Sequence, residues 1–289
     1  MQTIETIADM RTIVANAKRQ GKSVGLVPTM GYLHEGHLRL VDTARRENDL
    51  VVVSIFVNPL QFGPNEDFAR YPRDTERDKT LLAEHQCDVV FLPSVEEMYP
   101  RPLKTVIELP GMSETLCGRS RPGHFRGVAT VVSKLFHIVQ PDKAYFGKKD
   151  AQQAAIIARM VDDLNIPVEI VTVPIVREAD GLAKSSRNVY LTAEERPHAT
   201  VLYRALMEAK AKIEAGERCA DKIRQMVQAR ISAEPGVTLD YAEIVSLTDL
   251  KPIERLSGRV LLAVAAYVGK TRLIDNLQMD VTEDGVTFD

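Results

Sequence analysis

The sequence has few cysteines, no excess of one charge and no long apolar run, and each shortage excludes a class of protein. Cys87, Cys117 and Cys219 are odd in number, widely spread and form no C-x-x-C pair, so neither a disulfide framework nor a zinc ribbon is indicated. All three read as reduced and structural. With 37 basic and 40 acidic residues the net charge is −3, without a block of one sign, which argues against a nucleic-acid or anionic-membrane binder working by bulk charge. The longest apolar runs, Leu50 to Val57 (Ser54 included) and Val260 to Val268, are each roughly half of the ~20 residues that a spanning helix needs. The first turns carry Glu5, Asp9 and Arg11 rather than the basic head and apolar middle of a secretory signal, and a cytoplasmic location is expected. The common phosphate loops are missing as well. Gly269-Lys270-Thr271 has Val264 where G-x-x-x-x-G-K-[ST] requires glycine, and no G-x-G-x-x-G occurs.

What remains is an ordinary globular composition, 45% hydrophobic and 27% charged, over 289 residues. At about 150 residues per domain that is one large or two ordinary domains. Ile4, Ile7, Met10, Val14 and Ala17 recur at steps of three and four, predicting a helix that Gly21 ends. A strand follows at Val24 to Thr29 and a helix at Leu38 to Asn48. Leu50 to Val57 is apolar without alternation, the pattern of a central strand buried on both faces of a parallel sheet. The alternation continues with a helix (Asp74 to Gln86), a strand (Val89 to Leu92), a helix (Phe125 to Val139), a strand (Lys143 to Phe146), a helix (Ala151 to Leu164) and a strand (Val168 to Val176). It predicts an α/β fold: a Rossmann-like parallel-sheet N-terminal domain, residues 1–180, with ligands bound beyond the carboxyl ends of its strands. A smaller α+β C-terminal domain, residues 181–289, is read from helices at Thr192 to Ala215 and Ala220 to Ala233. Strands follow at Leu239 to Val245, Val260 to Tyr267 and Arg272 to Asn276. Thr192 and Glu195 have capping-box spacing, although Pro197 in the same helix blurs its start.

Five loops carry candidate chemistry. After the first of these strands comes Pro28-Thr29-Met30-Gly31-Tyr32-Leu33-His34-Glu35-Gly36-His37, which brings two imidazoles to a helix N-terminus, a natural phosphate site. The alternatives are surface histidines in a turn, or a zinc pair, although H-E-x-x-H would need histidine where Leu38 stands. Gly147-Lys148-Lys149-Asp150 and Gly181-Leu182-Ala183-Lys184-Ser185-Ser186-Arg187-Asn188 also follow strands and offer cations and hydroxyls to a phosphoryl group. Either alone reads better as a solvated charged loop; it is their agreement on one sheet edge that favours a phosphoryl site. Asn58 and Gln61 leave the central strand and suit a hydroxyl or carboxylate; the stretch Gly63 to Arg77 is a mobile cover or a plain connection. The basic loop Arg119 to Gly127 serves an anion or caps its helix.

Taken in order over residues about 24 to 190, P-T-M-G-x-L-H-x-G-H, F-V-N-P-x-Q-F, G-R-x-R-P-G-H-F-R-G, F-G-x-K-D-x-Q-Q and D-G-L-A-x-S-S-R-N resemble the pantothenate synthetase family, ATP-dependent ligases of the nucleotidyltransferase superfamily. The resemblance implies condensation of (R)-pantoate with β-alanine to pantothenate, AMP and pyrophosphate through pantoyl adenylate. It implies ATP binding by Met30 to His37 (Met30, Gly31, Tyr32, Leu33, His34, Glu35, Gly36, His37), by Gly147, Lys148, Lys149 and Asp150, by the backbone of Val176, and by Lys184, Ser185, Ser186 and Arg187. His34, His37 and Lys149 would be catalytic, with His37 the proton donor. Gln61 and Gln153 would hold pantoate, Gln61 would also face β-alanine, and Asn58, Tyr71 and Arg121 are lesser candidates. Mg²⁺ with ATP, a C-terminal lid and a homodimer are implied too, with no nucleic-acid or membrane partner. Lys148 stands where relatives commonly carry Glu, Ala151 where an aromatic is common, and Lys184 where Met or Leu is usual. The two lysines would tighten ATP binding and steepen its salt dependence. Competing readings are a nucleotidyltransferase acting on a phosphate acceptor, which would want extra Arg or Lys near Gln61 and Gln153, and a nucleotide sensor without catalysis.

Overall fold

Parallel strands and their crossover helices fill the first 173 residues in the computed structural model, which describes residues 1–64 and 66–289. The expected cover Gly63 to Arg77 includes residue 65, which lies outside the described residues. The order is β1 (Gln2–Ile4), α1 (Ile7–Arg19), β2 (Val24–Thr29), α2 (Glu35–Glu47), β3 (Leu50–Ile55), α3 (Thr75–Glu84), β4 (Val89–Phe91), the short α4 (Val95–Met98) and α5 (Cys117–Ser120), α6 (His124–Val139), β5 (Lys143–Gly147), α7 (Ala151–Asp163) and β6 (Glu169–Val173). The strands form a parallel sheet ordered β1-β4-β3-β2-β5-β6. Buried Val51, Val52 and Val53 make β3 the interior strand that its unbroken apolar run predicts.

The start of the chain differs from expectation. Ile4 belongs to an edge strand paired with β4, Gln2 opposite Val89, and not to the first helix. Thr6 separates the two: its hydroxyl accepts from the Asp9 N–H and starts α1 one residue later. A three-residue strand whose partner is far along the chain shows no period of its own.

The second part comprises α8 (Glu195–Ala199), α9 (Val201–Glu214), α10 (Ala220–Ser232), β7 (Val237–Ser246), β8 (Gly258–Val268), β9 (Thr271–Val281) and β10 (Val286–Phe288), the strands in an antiparallel sheet ordered β10-β9-β8-β7. The helix expected from Thr192 to Ala215 is divided at Thr200. Thr192 and Glu195 do cap each other, Thr192 N–H to Glu195 Oε2 at 3.0 Å and Glu195 N–H to Thr192 Oγ1 at 3.2 Å. Pro197 then falls within the first turn of α8, where its missing N–H costs nothing. β9 runs five residues beyond the expected Asn276, because the polar Gln278 and Asp280 interrupt its apolar pattern without ending its pairing with β8.

Alternation along these strands gives the second sheet two buried faces. Val260, Leu262 and Val264 pack in one apolar cluster with Leu202 and Ile213 of α9 and Ile223 and Val227 of α10. Leu261, Ala263 and Ala265, with Tyr241 and Val245 of β7, share another with Phe125 and Val128 of α6 and Ile156 of α7. The three cysteines are free. Among the described residues no helix is long and apolar enough to cross a membrane.

Candidate active site

From β2 the chain moves to β3 on one side, and β5 later joins β2 on the other. The adjacent carboxyl ends of β2 and β5 therefore flank a crevice where strand order reverses, the general ligand position of such sheets. The loop after β2 enters it through a tight turn in which Gly31 takes a left-handed φ of +83°, with Ile55 too close behind it for a side chain. Two residues of α3 pin that turn. The Asp78 carboxylate accepts from the Tyr32 and Leu33 N–H groups, both at 2.7 Å, and Arg77 donates to the Leu33 carbonyl at 2.9 Å.

His34 is the N-cap of α2, its Nδ1 accepting from the Gly36 N–H at 3.1 Å, while His37 Nδ1 accepts from the His34 N–H at 3.3 Å. Gly36 makes this possible: a Cβ there would lie 2.8 Å from the His34 ring. With both Nδ1 atoms accepting from backbone donors, the neutral rings carry their hydrogen on Nε2, which leaves Nε2–H as the donor each can offer a ligand. Burial first, then Lys149, Lys184 and Arg77, pushes the pKa of His34 down to about 4. Burial first, then His34, takes His37 down to about 3, with an upward pull from Asp150 that exceeds the further lowering by Lys149. Both histidines are thus uncharged at neutral pH without ligand.

The loop after β5 supplies Lys149, whose ammonium has the Asp150 carboxylate at 3.8 Å. From the 181–188 segment, Ser186 Oγ donates to the Tyr32 carbonyl at 3.1 Å, and the Lys184 N–H bonds to the Val176 carbonyl at 2.9 Å. Arg187 is held by Asp67 through two bonds of 2.9 and 3.0 Å and lies over the Tyr71 ring. Gln61 follows β3. Its Oε1 accepts from Asn58 at 3.1 Å, and among the described residues its Nε2 meets only the weak acceptor Met30 Sδ, leaving a donor for a carboxylate or hydroxyl.

One cavity of about 200 Å³ is walled by Met30, His34, Gly36 and His37; by Gly147, Lys149 and Asp150; by Val176 and Lys184 to Arg187; and by Gln61, Tyr71 and Gln153. A neighbouring cavity of about 370 Å³ shares Lys149, Asp150, Gln153, Ser185 and Arg187 with it and extends toward β9. Gly31, Tyr32, Leu33, Glu35 and Lys148 wall neither. Lys148 pairs with Asp289 at 2.7 Å and Lys184 with Glu35 at 3.2 Å, so each unusual lysine brings a neutralising partner and adds less field at the cavity than sequence suggests. Asn58 is fully engaged with Gln61, the Gly127 carbonyl, the Leu60 N–H and Tyr99 and orients Gln61. Arg121 is spent on Glu66 at 2.6 and 2.7 Å. Sequence reasoning missed Asp78, whose helical position gives no sign of backbone partners some 45 residues upstream.

His124 supports the site from behind, its Nδ1–H donating to the Gln61 carbonyl at 2.8 Å while Nε2 accepts from Arg121. Burial, then Arg121, takes its pKa down to about 4. His34, His37 and His124 therefore bind fewer protons folded than unfolded between about pH 4 and 6.5. Their contribution to stability is complete above pH 6.5 and is lost as pH falls through that window. His124→Asn, whose amide can take the place of Nδ1–H toward the Gln61 carbonyl, is expected to flatten the slope of unfolding free energy between pH 5 and 6.5 by up to about one proton, ~1.4 kcal/mol per pH unit. Denaturant titrations across that range measure it, and an unchanged slope contradicts the buried neutral state.

A family model described as pantoate-beta-alanine ligase matches residues 2–278. A pantothenate synthetase of Moorella thermoacetica is 59% identical over 283 residues, 98% of this chain and 100% of its own. Among solved structures, the pantothenate synthetase of Thermus thermophilus is 49% identical with a TM-score of 0.91, covering 96% of this chain and 99% of that one. A Francisella tularensis pantoate-beta-alanine ligase, solved with beta-gamma ATP and beta-alanine, is 36% identical with a TM-score of 0.78, covering 96% and 97%.

Proposed function

The chain belongs to the pantoate–β-alanine ligase family, and we propose that the crevice between β2 and β5 is where its reaction takes place. It is an ATP-dependent ligase that joins pantoate to β-alanine, giving pantothenate, AMP and pyrophosphate. A pantoate carboxylate oxygen attacks the α-phosphorus, the bond to the β-phosphate oxygen breaks, and pyrophosphate leaves; the β-alanine amine then attacks the acyl carbon, loses a proton and displaces AMP. The first step drives an anion onto a polyanion, so it calls for donors and cations already in place and not for a protein nucleophile. The observation that carries the assignment is that His34, His37, Lys149, Lys184 and Arg187 share one cavity with Gln61 and Gln153.

In this reading the Nε2–H groups of His34 and His37, the Lys149 ammonium, and Ser185, Ser186 and Arg187 hold the phosphate chain. Arg187 exchanges Asp67 for phosphate when ATP arrives. Gln61 and Gln153 hold pantoate, and Gln61 then faces β-alanine. Mg²⁺ accompanies ATP, offsetting phosphate charge. No three His, Cys, Asp or Glu side chains gather as a ligand set among the described residues, which suits an ion carried mainly on phosphate oxygens, with Asp150 as the carboxylate nearest Lys149. Residues 1–180 form the catalytic part and 181–289 its cover. A cytoplasmic homodimer completes the proposal: the free cysteines suit a reducing compartment, and sedimentation equilibrium tests the dimer.

The decisive assay is pantoate-dependent ATP–pyrophosphate exchange with Mg²⁺. Exchange without β-alanine, and AMP with pantothenate once it is added, are expected. Exchange that needs β-alanine would overturn the two-step order.

A further inference from the structure

Consecutive residues of β9 hold the backbone of two different loops of the site. Asn276, 5% exposed, faces the first sheet, and its Nδ2 donates to the carbonyl oxygens of Lys148 at 3.0 Å and Lys149 at 2.9 Å. Gln278, two residues on and on the same face, donates from Nε2 to the Lys148 carbonyl at 3.2 Å and to Asn276 Oδ1 at 3.3 Å. Asp275 faces the opposite way and is 2% exposed. It takes both ends of the Arg177 guanidinium at 2.6 and 2.9 Å and the Asn276 N–H at 2.8 Å. Arg177 in turn donates to the Gly181 carbonyl at 3.0 Å, at the start of the loop that carries Ser185 to Arg187.

We propose that Asn276 and Gln278 are positioning residues that fix the Lys148–Lys149 turn and so set the origin from which Lys149 reaches the phosphate chain; the inference rests on the role given to Lys149 above. Among the described residues nothing closer than the Asp150 carboxylate, 3.8 Å away, fixes the ammonium end of this flexible side chain. The turn itself is a single 3-10 turn, Lys148–Asp150, leading into α7, and the Asp150 side chain adds no capping bond at the head of that helix. The aim of Lys149 is therefore set by its backbone, and both hydrogens of the Asn276 amide are spent on that backbone. Misplacement by about 1 Å is enough to cost ~10²-fold in rate.

Asn276→Asp keeps the size and turns the donor into an oxygen facing two carbonyls. It is expected to lower kcat for ATP–pyrophosphate exchange by about 10- to 100-fold with the KM for ATP within about threefold, while amide formation from supplied pantoyl adenylate changes little. Gln278→Leu, which removes one donor of the three, is expected to lose about three- to tenfold. In a Lys149→Ala background Asn276→Asp should cost nothing further, because two residues acting through one group are not additive. Normal exchange in Lys149→Ala alone would remove the reading on which the inference rests. Defective Lys149→Ala beside wild-type exchange in Asn276→Asp and Gln278→Leu would overturn the positioning role and leave that of Lys149 standing. Equal losses in both half-reactions together with a lower Tm would also overturn it, as would a full additional loss in the Lys149→Ala background. Should Asn276→Asp not fold, Gln278→Leu decides by the same comparisons.

Discussion

Lys149→Ala is expected to slow pantoate-dependent ATP–pyrophosphate exchange by roughly 10² or more while leaving thermal stability near that of the parent. The reason is where the charge sits. Lys149 lines both cavities, and its positive charge helps hold His34 and His37 in their neutral forms, so it acts on the same small volume as the two rings. Its only ion-pair partner among the described residues is Asp150 at 3.8 Å, a loose pair whose loss costs the fold little. Arg187 is bound twice by Asp67 and Lys184 is paired with Glu35, so Lys149 is the cation of this group with the least to give up when phosphate arrives. Lys149→Arg keeps the charge but replaces a compact ammonium with a planar fork, and only partial recovery is expected. Stopped-flow measurement of pyrophosphate release in the first turnover separates the chemical step from product release. A first-turnover rate within threefold of the parent in Lys149→Ala would remove this residue from the transition state.

The same comparison of partners shows how far the sequence could be read. β2, β3 and β5 are legible because strands buried on both faces are written as apolar runs, and α2 is legible from its period, although it begins at Glu35 and so includes His37. The chemistry-bearing loops follow from the rule that ligands lie beyond strand ends. Strand order is not written in alternation. That the loops after β2 and β5 are neighbours depends on β5 joining β2 across the sheet, and no local pattern reports it. Long-range polar contacts were equally hidden. Asp78 on Tyr32 and Leu33, Asp67 on Arg187, Asp289 on Lys148 and Asn276 on Lys149 join residues separated by between 45 and 141 positions. They decide which cations are free and which are spoken for. A motif names residue types, whereas the charge a ligand meets depends on partners drawn from elsewhere in the chain. The histidine tautomers are the clearest case, because backbone N–H groups that exist only once α2 has formed select them.

His37 does two jobs, and they can be separated. As a cap, its Nδ1 accepts the His34 N–H; as a donor, its Nε2–H is the group left for phosphate. His37→Ala removes both and is expected to lower exchange by 10²- to 10³-fold, as loss of one preorganised donor does, and to cost about 1 kcal/mol of stability through the lost cap. His37→Asn can still accept the His34 N–H through Oδ1, so the stability is expected to return while exchange stays low. The pH profile adds a further constraint. With a pKa of about 3 in the unliganded protein, His37 is neutral throughout the working range, and an arriving phosphate anion favours its charged form. ATP binding is therefore expected to take up protons increasingly as pH falls below about 6, and to do so less in His37→Asn. Calorimetric titration in buffers of different ionisation enthalpy counts those protons. Equal uptake in the parent and His37→Asn would place the titrating group elsewhere, with His34 next to be tested. Near-parental exchange in His37→Asn would reduce His37 to a cap.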